Sequence, residues 1–281
     1  MKLMGLLIIY CLLLLPVQVL AADDGYGYPI AGSYEATILG TPAPLMPKFP
    51  EGMRVKRLVL DVNPGRLRPP IFFYDEGLRC SFAYQKKKAP LVFLIGGAGS
   101  SGLAPSLVTM TKAFYQAGYH VITLPSPSNA NFIVSASHSH VPGDLSEDSE
   151  DLYRAMETAW SEVRGDIEVS DFNLCGFSLG GTQAAFVAKL DEQRKIFNFR
   201  KVLMINPSVS LYNSIIKIEG MLKEIPGGAK NEGIFFNRML AKFGEYYRYG
   251  DFVGINDDFI YSIYSEKLFS HEETGGLIGL A

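Results

Sequence analysis

The sequence is poor in the residues that metal centres, disulfide frameworks and nucleic-acid surfaces require. Its 281 residues include three cysteines and four histidines, and no cluster of the two has the spacing of metal ligands. The chain has 26 basic and 29 acidic residues, which gives a net charge of −3, and there is no long basic run. The sequence therefore predicts no cofactor, no metal and no nucleic-acid partner. With 48% hydrophobic and 20% charged residues, the composition is that of a globular protein.

The N-terminus has the pattern of an export signal. Lys2 is a minimal positive region, Leu6–Leu15 is an unbroken apolar run, and Val19–Ala21 has small residues where cleavage would occur. We predict cleavage after Ala21, a periplasmic or secreted mature protein, and no stable membrane span after cleavage. The alternative is a retained membrane anchor, for which the apolar run is short.

Two cysteines, Cys80 and Cys175, would remain in the mature chain. Both fall in predicted strands, so we interpret them as small, buried, apolar residues and not as a disulfide.

Short apolar runs alternate with helical patterns through the middle of the chain. Strand and helix segments alternate from residue 90 to residue 206, and several strands are apolar on both faces. This pattern predicts an α/β fold with a doubly wound, mostly parallel sheet. The predicted central strands are Pro90–Ile95, His120–Leu124, Ile167–Leu174 and Lys201–Asn206, and the helices between them are Leu107–Ala117, Asp151–Val163 and Thr182–Leu190. Antiparallel entry strands are predicted at Val55–Val62, Ile71–Tyr74 and Arg79–Tyr84, with an earlier strand at Tyr34–Leu39.

One turn stands out between the third of these central strands and its helix. Gly176-Phe-Ser178-Leu-Gly180 follows the apolar run and precedes a small-residue helix start. A sharp strand-to-helix turn holds the serine backbone in a strained conformation, so its neighbours must be glycine. The turn would expose Ser178 Oγ beside the free N–H groups of a helix N-terminus, which is a place for an oxyanion.

This turn resembles the nucleophile turn of the α/β-hydrolase superfamily, and the resemblance covers roughly Val55–Ser208. It implies that Ser178 is the nucleophile of a serine hydrolase. It also implies an oxyanion hole formed by the Leu179 N–H and by Gly97 or Ala98, in the glycine cluster after Ile95. The His-Gly-Gly-Gly form of that loop is absent, because Ile95 stands where the histidine would be. A phosphate loop is excluded, since no lysine follows Gly102.

The acid and the base of a serine hydrolase are harder to find. His271 is the only histidine after Ser178, and Asp257 and Asp258 precede it too closely for a strand, helix and strand between them. Three explanations stay open. The last two sheet strands lie outside this chain, leaving an exposed apolar edge; the base is His138 or His140 with nearby Asp144; or the chain is a non-catalytic relative.

These features predict an exported hydrolase that cleaves an ester, lipid or other acyl substrate through Ser178. The alternative is a binding protein or inactive fragment on the same fold, and the sequence does not indicate a protein partner. The predicted organisation is a signal peptide at 1–21, an extension at 22–50, an α/β core at 51–208 and a helical, cap-like segment at 209–281. Helices are predicted in this last segment at Ile215–Ile225, Phe235–Phe243 and Phe259–Leu268.

Overall fold

A computed structural model describes residues 27–41, 45–50, 52–67, 69–250 and 257–280. The predicted signal peptide at 1–21 lies outside these residues. The chain divides into two compact units. Residues 47–216 form a unit that contains the whole described sheet, here called the sheet unit, while the described parts of 1–46 and 217–281 form the helical unit.

The sheet has six strands: β1 Val55–Leu60, β2 Leu78–Ala83, β3 Ala89–Ile95, β4 His120–Leu124, β5 Val169–Phe177 and β6 Lys201–Ile205. Their spatial order is β1-β2-β4-β3-β5-β6. The first two strands are antiparallel to their neighbours, and β4, β3, β5 and β6 run parallel. The predicted mostly parallel sheet with an antiparallel entry is therefore confirmed.

Helices flank the sheet because its central strands are apolar on both faces. On β3, Phe93 points into the larger core layer and Leu94 into the smaller one. The larger layer includes side chains from the helices Leu145–Val163 and Leu179–Arg194, and the smaller layer includes Leu107 from the helix Pro105–Gln116. The helices of this unit are α2 Pro105–Gln116, α3 Ala130–Ser135, α4 Leu145–Val163 and α5 Leu179–Arg194. Helix α6, Leu211–Lys223, contains the division between the two units.

Two segments of the sheet unit differ from the sequence-based expectation. Ile71–Tyr74 is not a strand, because Pro70–Phe72 forms a short 3-10 helix in which the Phe72 N–H donates to Pro69 O at 2.9 Å. The two prolines fix φ at values that suit the start of a helical turn. The polar stretch 126–142, where the sequence analysis identified no element, contains the helix Ala130–Ser135, whose N-cap Asn129 accepts a hydrogen bond from the Asn131 N–H.

Strand β6 is an exposed edge and not the buried strand that its apolar sequence predicts. Val202, Leu203 and Met204 are 37%, 48% and 46% exposed. Within the described part of the chain, β6 pairs only with β5. In the part of the chain that the structure describes, β6 thus presents an apolar edge that no further strand covers.

The helical unit is built from α1 Ser33–Leu39, the end of α6, α7 Glu232–Tyr249, α8 Asp257–Ser265 and α9 His271–Leu280. The predicted strand at Tyr34–Leu39 is wrong, since this segment is helix α1, flanked by Gly32 and Gly40. The three helices predicted after residue 209 are present, and α9 was not predicted. A small core forms around Ile225, Phe235 and Met239.

No helix in the described ranges has both the length and the apolar character that crossing a membrane requires. Cys80 and Cys175 are buried free thiols, as predicted. Burial raises the pKa of the Cys175 thiol to about 12, and it also raises the pKa of Cys80. Neither thiol competes as a nucleophile at neutral pH.

The buried side chain of His120 should make the free energy of unfolding depend on pH. His120, fully buried at the start of β4, accepts from the Gln85 N–H through Nδ1 at 3.1 Å. Its Nε2 therefore carries the proton and donates to Glu168 O at 3.1 Å. Burial lowers the pKa of His120 below its ordinary value, although the bond to Glu168 opposes this shift.

We expect the free energy of unfolding to fall as the pH drops below about 6.5, because His120 then binds a proton in the unfolded chain but stays neutral in the folded protein. His120→Gln should remove this part of the slope in urea unfolding measured from pH 7.5 to pH 5.5. His138→Gln, which makes the same chemical change at an exposed position, is the matched control for the substitution itself. An unchanged slope in His120→Gln would contradict the assignment.

Candidate functional site

The turn between β5 and α5 holds Ser178 in a conformation that L-residues rarely adopt. Its φ is 55° and its ψ is −123°. The Ser178 N–H donates to Ile205 O at 2.9 Å, while Ser178 O accepts from the Gly181 N–H at 2.9 Å. Its side-chain Oγ makes no hydrogen bond with any residue that the structure describes. The backbone is therefore fixed on both sides, and the hydroxyl is free.

Two glycines make this turn possible. A Cβ on Gly176 would lie 2.0 Å from Gly180 O, and a Cβ on Gly180 would lie 2.5 Å from the carbonyl oxygens of Ile95 and Gly96. Such contacts with backbone cannot be relieved by moving a side chain. The steric requirement for glycine on both sides of Ser178, predicted from the sequence, is confirmed.

The predicted oxyanion donors lie around the same turn. A Cβ on Gly97 would be 3.3 Å from Ser178 Cβ, so the loop after β3 is in close contact with the serine. Leu179 is the first residue of helix α5. Within the described residues, the N–H groups of Gly97, Ala98 and Leu179 make no hydrogen bond. Free N–H groups next to a hydroxyl can stabilise negative charge that develops there.

A clamp on the glycine loop was missed by the sequence analysis. Ser128 Oγ accepts from the Gly99 N–H at 2.9 Å, and Asn129 Nδ2 donates to Gly99 O at 2.9 Å. Ser126 supports the clamp through a 3.0 Å contact between its Oγ and that of Ser128. Both peptide groups of Gly99, whose φ is +67°, are thus held. The clamp fixes the peptide that follows Ala98.

In the sheet unit, the alternative acid Asp144 and one alternative base, His140, have other structural roles. Asp144 caps α4, since its Oδ1 accepts from the N–H groups of Ser146 and Glu147 at 2.9 and 3.2 Å. The ring of His140 bonds to Ile133 O through Nδ1 at 3.1 Å. His138 is exposed. No bond between either histidine and Asp144 occurs in the described part of the chain.

His271 lies in the helical unit, at the start of α9. Its Nδ1 is 3.1 Å from Glu35 Oε1, and its ring stacks on Tyr34 with centroids 4.3 Å apart. The pKa of Glu35 is below its ordinary value, first because of its own backbone N–H and then because of His271. A carboxylate paired with Nδ1 orients an imidazole and stabilises its charged form. The sequence analysis missed Glu35, which is 236 residues from His271.

The described residues contain no group of three or more His, Cys, Asp or Glu side chains that could hold a metal ion. His138 and His140, the His-x-His pair, thus have no third ligand in this part of the chain.

The sheet flanked by helices is similar in fold to solved esterases over part of the chain. One is a hyperthermophilic esterase from Pyrobaculum calidifontis, with 17% identity, a TM-score of 0.42, and coverage of 66% of this chain and 55% of that one. Another is a thermophilic carboxylesterase cloned from a metagenomic library, with 16% identity, a TM-score of 0.43, and coverage of 62% and 54%. A thermostable esterase from Pseudomonas putida has 18% identity, a TM-score of 0.41, and coverage of 57% and 46%.

This chain spans about half the length of the solved structures it matches. No protein-family model matches it, and no curated protein does.

The backbone strain at Ser178 can be measured as a difference in the free energy of unfolding between two variants. We expect Ser178→Gly to be more stable than Ser178→Ala by about 1 kcal/mol, because relief of about 1–3 kcal/mol of strain outweighs the extra chain entropy of glycine, about 0.5–1 kcal/mol. Both variants lack the hydroxyl, so chemistry does not enter the comparison. Chemical denaturation measures the difference.

Ser161, exposed within helix α4, provides the control. There the order should reverse, with Ser161→Gly less stable than Ser161→Ala by about 1 kcal/mol. If Ser178→Gly were also less stable than Ser178→Ala, the Ser178 backbone would be unstrained in solution.

Proposed function

We propose that this chain is a serine hydrolase that cleaves an ester or another acyl substrate through Ser178. One observation carries the proposal: a serine with φ of 55° and an unbonded Oγ stands against a loop and a helix start whose N–H groups are free. A strained backbone beside unpaired donors costs stability, and such costs are characteristic of active sites. The solved structures named above are esterases, and the proposal assigns the same reaction class to this chain.

The chemistry follows from the atoms present. Ser178 Oγ attacks the acyl carbon as its proton passes to a base, and the carbonyl oxygen becomes an oxyanion. N–H groups of Leu179 and of Gly97 or Ala98 would bind that oxyanion, and a donor in this role contributes about 3 kcal/mol. The alcohol leaves with the proton as the acyl-enzyme forms, and water then releases the acid and restores the serine.

His271 is the first base to test. Among the histidines it is the one whose ring is paired with a carboxylate, that of Glu35, so a positive charge on the imidazole would be stabilised.

We also propose that the protein is exported. The support is the apolar run Leu6–Leu15, followed by small residues up to Ala21. N-terminal sequencing of the protein recovered from the periplasm or medium should begin at Ala22. A chain that retains Met1 in the membrane fraction would contradict export by cleavage.

A second function is favoured by one observation. Ser178 Oγ has no histidine bonded to it in the described residues, and a serine without a base is a weak nucleophile. The same fold would then serve as a binding protein for an acyl ligand.

Covalent labelling separates the two functions. A fluorophosphonate probe should label the purified chain at Ser178, as located by mass spectrometry, and Ser178→Ala should not be labelled. His271→Gln should slow labelling if His271 is the base. A folded chain that remains unlabelled would contradict the hydrolase proposal and favour the binding protein.

The Gly99 clamp gives a further prediction. Asn129→Asp keeps the Oδ1 that caps α3 but replaces the donor to Gly99 O with a second acceptor. We expect labelling of Ser178 to slow about tenfold, because a displaced oxyanion loop raises the barrier. The measurement is the labelling rate alongside the thermal midpoint.

Asn198→Asp makes the same chemical change in an exposed turn, where Nδ2 donates to Lys195 O at 2.7 Å. It should leave the labelling rate unchanged at a similar cost in stability. Equal labelling rates for the two variants would show that the clamp does not position the loop.

A further inference from the structure

The helical unit contains an open cavity of about 1150 Å³ among its described residues. Its apolar wall comes from α1, α7 and α9. Phe236 and Leu240 on this wall are 46% and 52% exposed, so described side chains do not fill the cavity. A volume of this size exceeds that of many drug-sized ligand sites. The wall includes Ile38, Phe236, Met239, Leu240, Phe243 and Leu277.

Two cations stand on the same wall, one turn apart on α7. Arg238 and Lys242 both line the cavity, and both bond to Glu273. Lys242 Nζ is 2.9 Å from each Glu273 oxygen, and Arg238 reaches Oε1 at 3.3 Å. The Ser270 N–H donates to Oε2 at 3.0 Å. These four contacts occupy the acceptor sites of one carboxylate.

Glu273 therefore holds the two cations in place. Burial raises the pKa of Glu273, but hydrogen bonds from Lys242 and Ser270 and the charges of Lys242 and Arg238 outweigh it and keep the pKa below its ordinary value. The carboxylate is charged at neutral pH, and the three side chains together carry one positive charge.

Lys242 and Arg238 each have N–H groups that do not bond to Glu273. An ammonium has three N–H groups and a guanidinium has five. With the described residues, Lys242 uses two of its donors and Arg238 uses one. The other acids at the cavity are Glu35, which is paired with His271, Glu272, which accepts from Ser270 Oγ, and Glu224, which lies just after α6. A third cation, Lys267, also lines the cavity but lies outside α7. The α7 side of the cavity is thus its cationic side, next to the apolar wall.

We propose that this cavity binds an amphipathic carboxylate, whose alkyl chain lies on the α7 wall and whose head group bonds to Arg238 and Lys242. An apolar wall with a few convergent charged donors is the usual construction of a small-molecule site. The residues that carry the proposal belong to the helical unit alone, so it does not depend on Ser178 or on hydrolysis.

Calorimetric titration of the full chain, in the Ser178→Ala form, tests the ligand class. The probes are decanoate, decanol and decylammonium, which share a chain and differ in charge. We expect one decanoate per chain, bound at least about tenfold more tightly than decylammonium. Absence of decanoate binding, or equal or tighter binding of decylammonium, would overturn the proposal. This comparison needs no cavity variant.

Two variants then separate head group from chain. Arg238→Met should weaken decanoate about tenfold and leave decanol within about twofold, whereas Leu240→Asn should weaken both. Lys223→Met is the control, because this cation of the same unit pairs with Glu219 at 3.8 Å and is not on the cavity wall. Decanoate binding that is unaffected by Arg238→Met, or weakened equally by Lys223→Met, would show that the cavity is not the site.

Discussion

The close approach of three backbone segments at one turn is the constraint on which the sheet unit depends. Gly180 lies against the carbonyl groups of Ile95 and Gly96, and Gly176 lies against Gly180. Only glycine fits at these two points. With the helix start pressed against the end of β3, Ser178 is left at positive φ and is tied to β6 through Ile205 O. Strain at the serine is thus a consequence of packing around it.

The parallel sheet brings the parts of this site together. Strand β3 has β4 on one side and β5 on the other, so the chain changes direction across the sheet at this point. In open α/β sheets, ligand sites form at such a point, beyond the carboxyl ends of the strands. The glycine loop follows β3 and Ser178 follows β5, which places both at the same edge.

The sequence was sufficient where a local pattern determines the structure. An apolar run such as 91–95 indicates a buried strand. Glycine is required on both sides of Ser178 because a side chain at either position would collide with neighbouring backbone. Prediction failed where distant residues decide. Ser128 and Asn129 bond to Gly99 only once the fold brings the loop after β4 next to the glycine loop. Glu35 and His271 are paired although most of the chain separates them in sequence. The composition of β6 suits a buried strand, but burial depends on neighbours that its own sequence does not specify.

A crystal structure of the chain after reaction with a phosphonate ester would show whether Ser178 and the free N–H groups around it act on one substrate. We expect phosphorus bonded to Ser178 Oγ, with the phosphonyl oxygen about 2.7–3.1 Å from the N–H of Leu179 and from that of Gly97 or Ala98. Ser178 should retain its positive φ. An adduct whose oxygen points to solvent, or a loop whose N–H groups turn away from that oxygen, would show that this turn is not an oxyanion site.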